Sequence, residues 1–511
     1  MSFYYFYDVF VRKKKNKSGV ISVQVIDKSS GKYRVLKTIG SSFDEDQVNQ
    51  LINEGKAWIK QCLGVQELNF TDYNYHTDLV LQGIEQISVL GPDLLLGKIF
   101  DRIGFNQIKD DLFKKLVIAR LCFPVSKLKT TDYLSKFQFF DIDVQTVYRY
   151  LDKLYKEQKE TVEEISYQHT LSVLQSGINV VFYDVTTIYF ECNSEDDLRK
   201  TGFSKEGKHQ HPQIVLGLLV SPGGYPLAYD IFEGNKFEGH TMLPLIEAFK
   251  AKYKLEKLVV VADAGLLSKD NIHLLEQGGY EYILGARIKT SEKRLKEKIL
   301  SLKLKDGESQ SLPIDANTKL IINYSCSRAQ KDAHNRERGL TKLQKQIKSG
   351  KLTKASINNR GYNKFLSIEN EIKISVNEQK IEEDKKWDGL KGYITNTTLS
   401  NEEVLENYKD LWQIEKAFRI AKTDLEIRPI YHRLQRRIEA HICIAFVAYK
   451  IYKELERLLK VKSSNLSPEQ AIDIAKTIYA VKIIHPITKQ ITYTTVIKTK
   501  EQKYLANLFG F

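Results

Sequence analysis

The stretch "INVVFYDVTTIYFE", residues 178–191, limits most strongly what this chain can fold into. Its apolar residues run almost without a break and are rich in β-branched types, which reads as a strand. Inside it stands Asp184, flanked by apolar positions. A carboxylate there is costly unless it is paired or bound to a cation. No turn residue lies nearby to explain it as a turn aspartate.

The segments that follow set the company of this strand. "PQIVLGLLVS" and "YPLAYDIFEG" read as two more strands joined by the turn "PGG". "GHTMLPLIEAFKAKY" reads as a helix and "EKLVVVADAG" as a buried strand ending in Asp263. A helix, "SKDNIHLLEQGG", and a strand, "YEYILGAR", come next. The order β-β-β-α-β requires a mixed α/β sheet with the crossover helix over one face. It sets Asp184 and Asp263 side by side. Asp263 alone reads equally as a cap or turn residue at a strand end.

Six regions are expected. Residues 1–62 form a small antiparallel sheet ("YYFYDVFV", "VISVQVID", "YRVLKTIG") and a helix from Asp44 to about Cys62. Residues 63–176 are helical, either a helix-turn-helix-like DNA-binding module with Tyr148, Arg149 and Lys153 outward or an ordinary bundle. Residues 177–288 hold the first part of the core, and 289–386 a β-rich basic insertion. Residues 387–460 hold the second part, and 461–511 a tail with a helix and a hairpin. The insertion carries nine basic residues between Arg328 and Lys354, Arg336 and Arg338 among them, against Asp332 and Glu337. They either rest on phosphates or form a solvated face.

Charge and cysteines narrow the function. With 78 basic and 64 acidic residues among 511, the net charge is +14, which favours a polyanionic partner, nucleic acid above all. Five scattered cysteines without a CxxC pair speak against a zinc ribbon or disulfide framework and fit a reduced cytoplasm. No apolar run reaches transmembrane length, and the N-terminus lacks signal-peptide order.

"SNEEVLENYKDLWQIEKAFRIAK" reads as one helix with Ser400 as N-cap. Leu411, Ile414, Phe418, Ala421 and Leu425 form an apolar stripe. Tyr408, Trp412, Glu415, Arg419 and Lys422 line a second face. That face is either solvated, with an i,i+4 Glu415–Arg419 pair, or a working surface. Asp184, Asp263 and Glu415 together suit two Mg²⁺ ions, which favour carboxylate and phosphate oxygens and serve in-line phosphoryl transfer.

These blocks resemble the RNase H-like core of DDE transposases from bacterial insertion sequences. The resemblance is closest in the subgroup with Y-x2-R-x3-E-x6-K around its glutamate. Tyr408, Glu415 and Lys422 match that spacing, and Leu411 stands where the arginine belongs. Matching segments span about 178–450, including "YDVTTIYFE", "PLAYDIFEGNKFEGHT" and "VVVADAGLLS". The resemblance implies that Asp184, Asp263 and Glu415 hold two Mg²⁺ ions (Mn²⁺ substituting) and cut and join DNA, with a hairpin intermediate common in the subgroup. It implies double-stranded DNA with terminal inverted repeats, target DNA, a homodimer on DNA, no membrane, and a bacterial cytoplasmic, nucleoid-associated setting. Tyr408 and Lys422 would hold phosphates, with Arg419 supplying the cation missing at Leu411. Trp387 would either hold a flipped base or pack in the core. Asn235, Glu238 and His240 would either reach the site or cap the following helix. A nuclease without strand transfer and a catalytically silent DNA-binding protein remain as alternatives.

Overall fold

The computed structural model describes residues 8–62, 73–175, 177–192, 194–204, 207–266, 268–350, 352, 358, 361–369 and 373–511. Part of the first expected strand, and Lys351 and Lys354 of the basic segment, lie outside the described residues. The chain divides into two units, Met1–Ile84 with Ile483–Ile491, and Glu85–Lys482 with Thr492–Phe511.

In the first unit, β1 (Val9–Lys15), β2 (Ile21–Asp27) and β3 (Arg34–Ser42) form an antiparallel sheet in that order. Helix α1 (Glu45–Cys62) packs on it over Val23, Val25, Ile26 and Val48, and α2 (Tyr73–Gln82) follows. The expected sheet and helix are both present.

The second unit opens with β4 (Ile84–Val89) and five helices: α3 (Lys98–Ile103), α4 (Asp111–Cys122), α5 (Lys127–Gln138), α6 (Val144–Glu157) and α7 (Lys159–Leu174). Side chains of Asp110, Ser126 and Asp143 accept hydrogen bonds from the first turns of α4, α5 and α6, satisfying amides that a helix start leaves unpaired. The core follows in the anticipated order: β5 (Val180–Tyr189), β6 (Gln213–Val220), β7 (Pro226–Glu233), α8 (Met242–Tyr253), β8 (Val259–Ala262), α9 (Lys269–Gln277) and β9 (Glu281–Ala286). Strands β5, β6 and β7 are antiparallel neighbours, while β8 and β9 add in parallel on the other side of β5.

Next come α10 (Lys293–Ser301), β10 (Ser309–Pro313), β11 (Lys319–Tyr324), α11 (Cys326–Lys348), β12 (Leu366–Glu369), β13 (Lys373–Val376), α12 (Glu378–Lys385) and β14 (Leu390–Thr395). The insertion is less separate than its sequence suggests. Strands β10 and β11 join the main sheet through β14, giving eight strands in the order β10-β11-β14-β9-β8-β5-β6-β7. The fold is therefore mixed α/β, with the RNase H-like strand order at its centre. Among the described residues of the insertion, β12 and β13 pair apart from that sheet, beside a small core of Leu343, Phe365, Leu366 and Ile381.

The segment read as one helix is two, α13 (Asn401–Lys409) and α14 (Trp412–Thr423). At the junction the amides of Leu411, Gln413 and Ile414 bond three residues back, to Tyr408, Asp410 and Leu411. This tighter winding turns Tyr408 out of phase with Glu415. The long α15 (Gln435–Val461) is buried along most of its length and packs against α3, α4, α6, α7 and β7. Helices α3, α4, α6 and α7 thus pack around α15. Helix α16 (Pro468–Ala475), strands β15 (Tyr479–Ile484) and β16 (Ile491–Val496), and α17 (Lys500–Phe509) complete the chain.

Candidate active site

The site lies on one level of the main sheet. The last partner pair of β5 and β8 is Tyr183 with Ala262, so Asp184 and Asp263 follow at adjacent positions. The last pair of β8 and β9 is Ala262 with Leu284, so Asp263 stands next to Gly285. Gly285 in turn pairs with Tyr393 of β14. Across the sheet the row reads Asp184, Asp263, Gly285, Tyr393.

Alternation along β5 assigns the face. Phe182 belongs to the core beneath α14 and α15, and Tyr183 to the opposite core around α8. Asp184 shares the face of Phe182. Its Oδ1 accepts the Val185 amide at 2.7 Å. Helix α14 packs on β5 and β6 with Ile414, Ala417, Phe418 and Ile420 buried, and Glu415 exposed beside them.

Tyr408 does not point outward toward a phosphate. It is 6 % exposed, packs edge-on against Tyr393 at 4.7 Å, and donates its hydroxyl to Asp263 Oδ1 at 3.2 Å. Burial first, then the Asp263 charge, hold its phenol far above the usual tyrosine range. Gly285 leaves the room: a Cβ there would come 2.4 Å from the Tyr408 hydroxyl.

Lys391, at the start of β14, escaped the sequence reading. Its ammonium lies 4.4 Å from the Tyr408 ring centroid and 5.3 Å from that of Tyr393. Burial and the charge of Arg328 lower its pKa, while Asp263 and Glu415 pull it back up. The charges of two of the three carboxylates thus act on one lysine. A lysine at a strand start reads from sequence as a solvated end, and only the sheet pairing reveals its company.

The other expected residues divide. Arg328 is exposed near this cation and pairs with Asp332 at 3.6 Å. Arg338 is exposed and lines a hollow with Lys342 and Lys345. Arg336, in contrast, is 6 % exposed and forked onto Asp388, with Asp384 at 3.4 Å. An arginine so engaged holds the insertion together and has no donor fork to offer a phosphate. Trp387 is 8 % exposed among Ile288, Ile299, Leu320 and Ile322, so it packs in the core and does not present its ring to a base. Arg419 lines a hollow shared with Asp424, Glu456 and Glu469, and Lys422 is half-buried one turn on. Asn235 and His240 are exposed, and capping of α8 falls to none of the three residues expected there. Its N-cap is Thr241, whose hydroxyl donates to the Glu238 carbonyl at 2.6 Å. The turn Glu238–His240 nevertheless packs against Ala264–Leu266, just after Asp263.

The donor chemistry suits Mg²⁺, since carboxylate oxygens are the ligands a hard cation selects. Among the described residues, no three His, Cys, Asp or Glu side chains stand close enough together to form a finished metal site. Carboxylates without a cation between them repel. No helix of the described residues is long and apolar enough to cross a membrane.

Residues 175–451 match the family described as the transposase DDE domain. The chain belongs to that family. Among curated proteins, none matches it. Among solved structures it is similar to a piggyBac transposase synaptic complex with hairpin DNA, at 8 % identity and TM-score 0.39, over 71 % of this chain and 69 % of that one. It is also similar to a Mos1 transposase paired-end complex with left transposon end, at 12 % identity and TM-score 0.16, over 31 % and 53 %.

Proposed function

We propose that the protein is a bacterial insertion-sequence transposase in which Asp184, Asp263 and Glu415 hold two Mg²⁺ ions, with Mn²⁺ able to replace them. The observation that carries this reading is the row formed by Asp184 and Asp263 on adjacent parallel strands, with Glu415 on the helix over the same face. When bound, the ions polarise phosphoryl oxygens and activate the attacking oxygen.

The chain's own residues do the remainder. Tyr408 orients Asp263 through its hydroxyl. Lys391 offsets the charge of Asp263 and Glu415 before DNA arrives and offers a phosphate contact afterwards. Lys422, Arg419, Arg328 and Arg338 supply further phosphate contacts. Water attacks the phosphorus at an element end, the P–O3′ bond breaks, and a 3′-hydroxyl is freed. That hydroxyl then attacks a second phosphodiester, in the opposite strand to form a hairpin or in the target to join, and the P–O3′ bond of the attacked strand breaks to free its own 3′-hydroxyl. Two ends must meet, so the working form is a homodimer on DNA, in the cytoplasm at the nucleoid. Helices α3 to α7 add further DNA contacts.

The test mixes the protein, Mg²⁺ and DNA bearing the element's terminal repeats. Joined products that disappear in Asp184→Asn, Asp263→Asn and Glu415→Gln, with DNA binding kept, support the proposal. Nicks without joining identify a nuclease, and a gel shift alone identifies a silent binder.

A further inference from the structure

Away from the carboxylate row, the second unit contains a cavity of about 470 Å³ whose lining includes Arg120, Lys127, Arg428, His432, His441 and Glu426. Two elements that are distant in sequence build it. Arg120 and Lys127 come from the end of α4 and the start of α5, Glu426, Arg428 and His432 from the segment leading from α14 into α15, and His441 from α15 itself. The Ile430 amide meets the Tyr189 carbonyl at 3.5 Å, which ties that segment to the end of β5, the strand of Asp184.

The charges do not balance. Arg120 and Lys127 are each 6 % exposed, and among the described residues neither has an ion pair or a side-chain hydrogen bond. A buried cation without a partner is strongly disfavoured. Burial pulls Arg120 down to about 10 against the opposing charge of Glu426, and Lys127 well below the usual lysine range, with Arg120 lowering Lys127 further. Burial with the charges of Lys127 and Arg437 holds His432 at about 3, and His441 is also lowered well below the usual range. Of the carboxylates nearby, Asp152 is engaged by Arg436 and Arg437 at 2.8 Å each. Glu426 is exposed at the rim. Among the described residues the buried His441 Nδ1 has no hydrogen-bond partner, while Nε2 lies 3.1 Å from the Ile427 carbonyl.

We infer that this cavity is a binding site for a phosphate group of the DNA backbone, held by Arg120 and Lys127 with Arg428 and the two histidines. The cavity volume admits a phosphodiester with its sugar. The DNA source rests on the transposase reading, but the phosphate site does not depend on the carboxylates or on metal.

The test uses the full chain in EDTA. Inorganic phosphate titrated into the wild type is expected to raise the melting temperature, with no such rise in Lys127→Met. Without phosphate, Lys127→Met is expected to melt higher than the wild type, because an apolar side chain replaces an unpaired buried cation. A cation with a purely structural role would show the reverse. DNA affinity in Lys127→Met is expected to fall about tenfold, with the salt slope smaller by about one. Arg120→Lys, which keeps the charge, is expected to retain part of the phosphate response and serves if Lys127→Met fails to fold. An unchanged melting temperature in phosphate, for wild type and Arg120→Lys alike, overturns the site. Phosphate stabilisation with undiminished DNA affinity in Lys127→Met overturns the DNA assignment. Loss of cleavage in the carboxylate variants bears on neither outcome.

Discussion

The Tyr408 hydroxyl and Asp263 Oδ1 lie 3.2 Å apart, and Gly285 beneath them has no side chain to separate them. Tyr408→Phe removes one hydrogen bond to a carboxylate and is expected to cost about 1.5–3 kcal/mol of stability. Gly285→Ala is expected to cost more, because its Cβ would fall 2.4 Å from the hydroxyl and 3.0 Å from the Ala264 amide nitrogen. The double variant should be less damaged than the sum of the two, since the first change removes the atom that the second strikes. Thermal unfolding of the four proteins measures the coupling.

Lys391 shares its field with Asp263 and Glu415. Removing a positive charge from two carboxylates raises their affinity for another cation. Lys391→Met is therefore expected to bind Mn²⁺ several-fold more tightly, by calorimetry, while cutting DNA more slowly for want of a phosphate contact. Weaker Mn²⁺ binding in this variant would show that the lysine supports the carboxylates in some other way.

Arg336 and Arg338 lie two residues apart on α11 and are expected to behave differently. Arg336→Met leaves the Asp388 carboxylate without its partner, while Asp384 keeps Lys289 and Lys364, and is expected to destabilise the protein by about 3 kcal/mol. Arg338→Ala touches only an exposed side chain and should leave the melting temperature in place while reducing the salt slope of DNA binding by about one. Denaturant unfolding and binding at several salt concentrations separate the two effects.

Acid stability depends on α15. Burial opposes ionisation of Glu454 and Glu456, yet Arg457 and His169 around the first, and Lys416 and Lys453 around the second, outweigh it and hold both at about 2. A depressed carboxylate pKa contributes stability that is fully present above the ordinary value of 4.5 and is lost as pH falls toward 2. Glu456 also joins α15 to Lys416 of α14, the helix of Glu415. The melting temperature is expected to drop steeply between about pH 4.5 and 2, and Glu456→Gln should flatten that drop.

The strands of the core were legible because each is a short, β-branched apolar run bounded by turns, and their order alone set Asp184 beside Asp263. The apolar stripe of α14 was equally plain from Ile414 and Phe418. What escaped the sequence depends on contacts between distant segments. The tight winding at Asp410–Leu411 leaves no breaker residue, so Tyr408 read as one face with Glu415. Nothing local distinguishes the buried Arg336 from the exposed Arg338, because the carboxylates that claim it lie about fifty residues on. Lys391 gains its neighbours only through sheet pairing, and the Arg120–Lys127 cavity only through the packing of the helical region against the segment before α15.

The central claim is that Asp184, Asp263 and Glu415 hold the same metal centre. Binding Fe²⁺ in place of Mg²⁺, with DNA present, and adding peroxide and ascorbate cuts the polypeptide next to the ion. Fragments ending near all three residues, suppressed by excess Mg²⁺, are expected. Cuts near only one of them, or clustered elsewhere, would contradict the account.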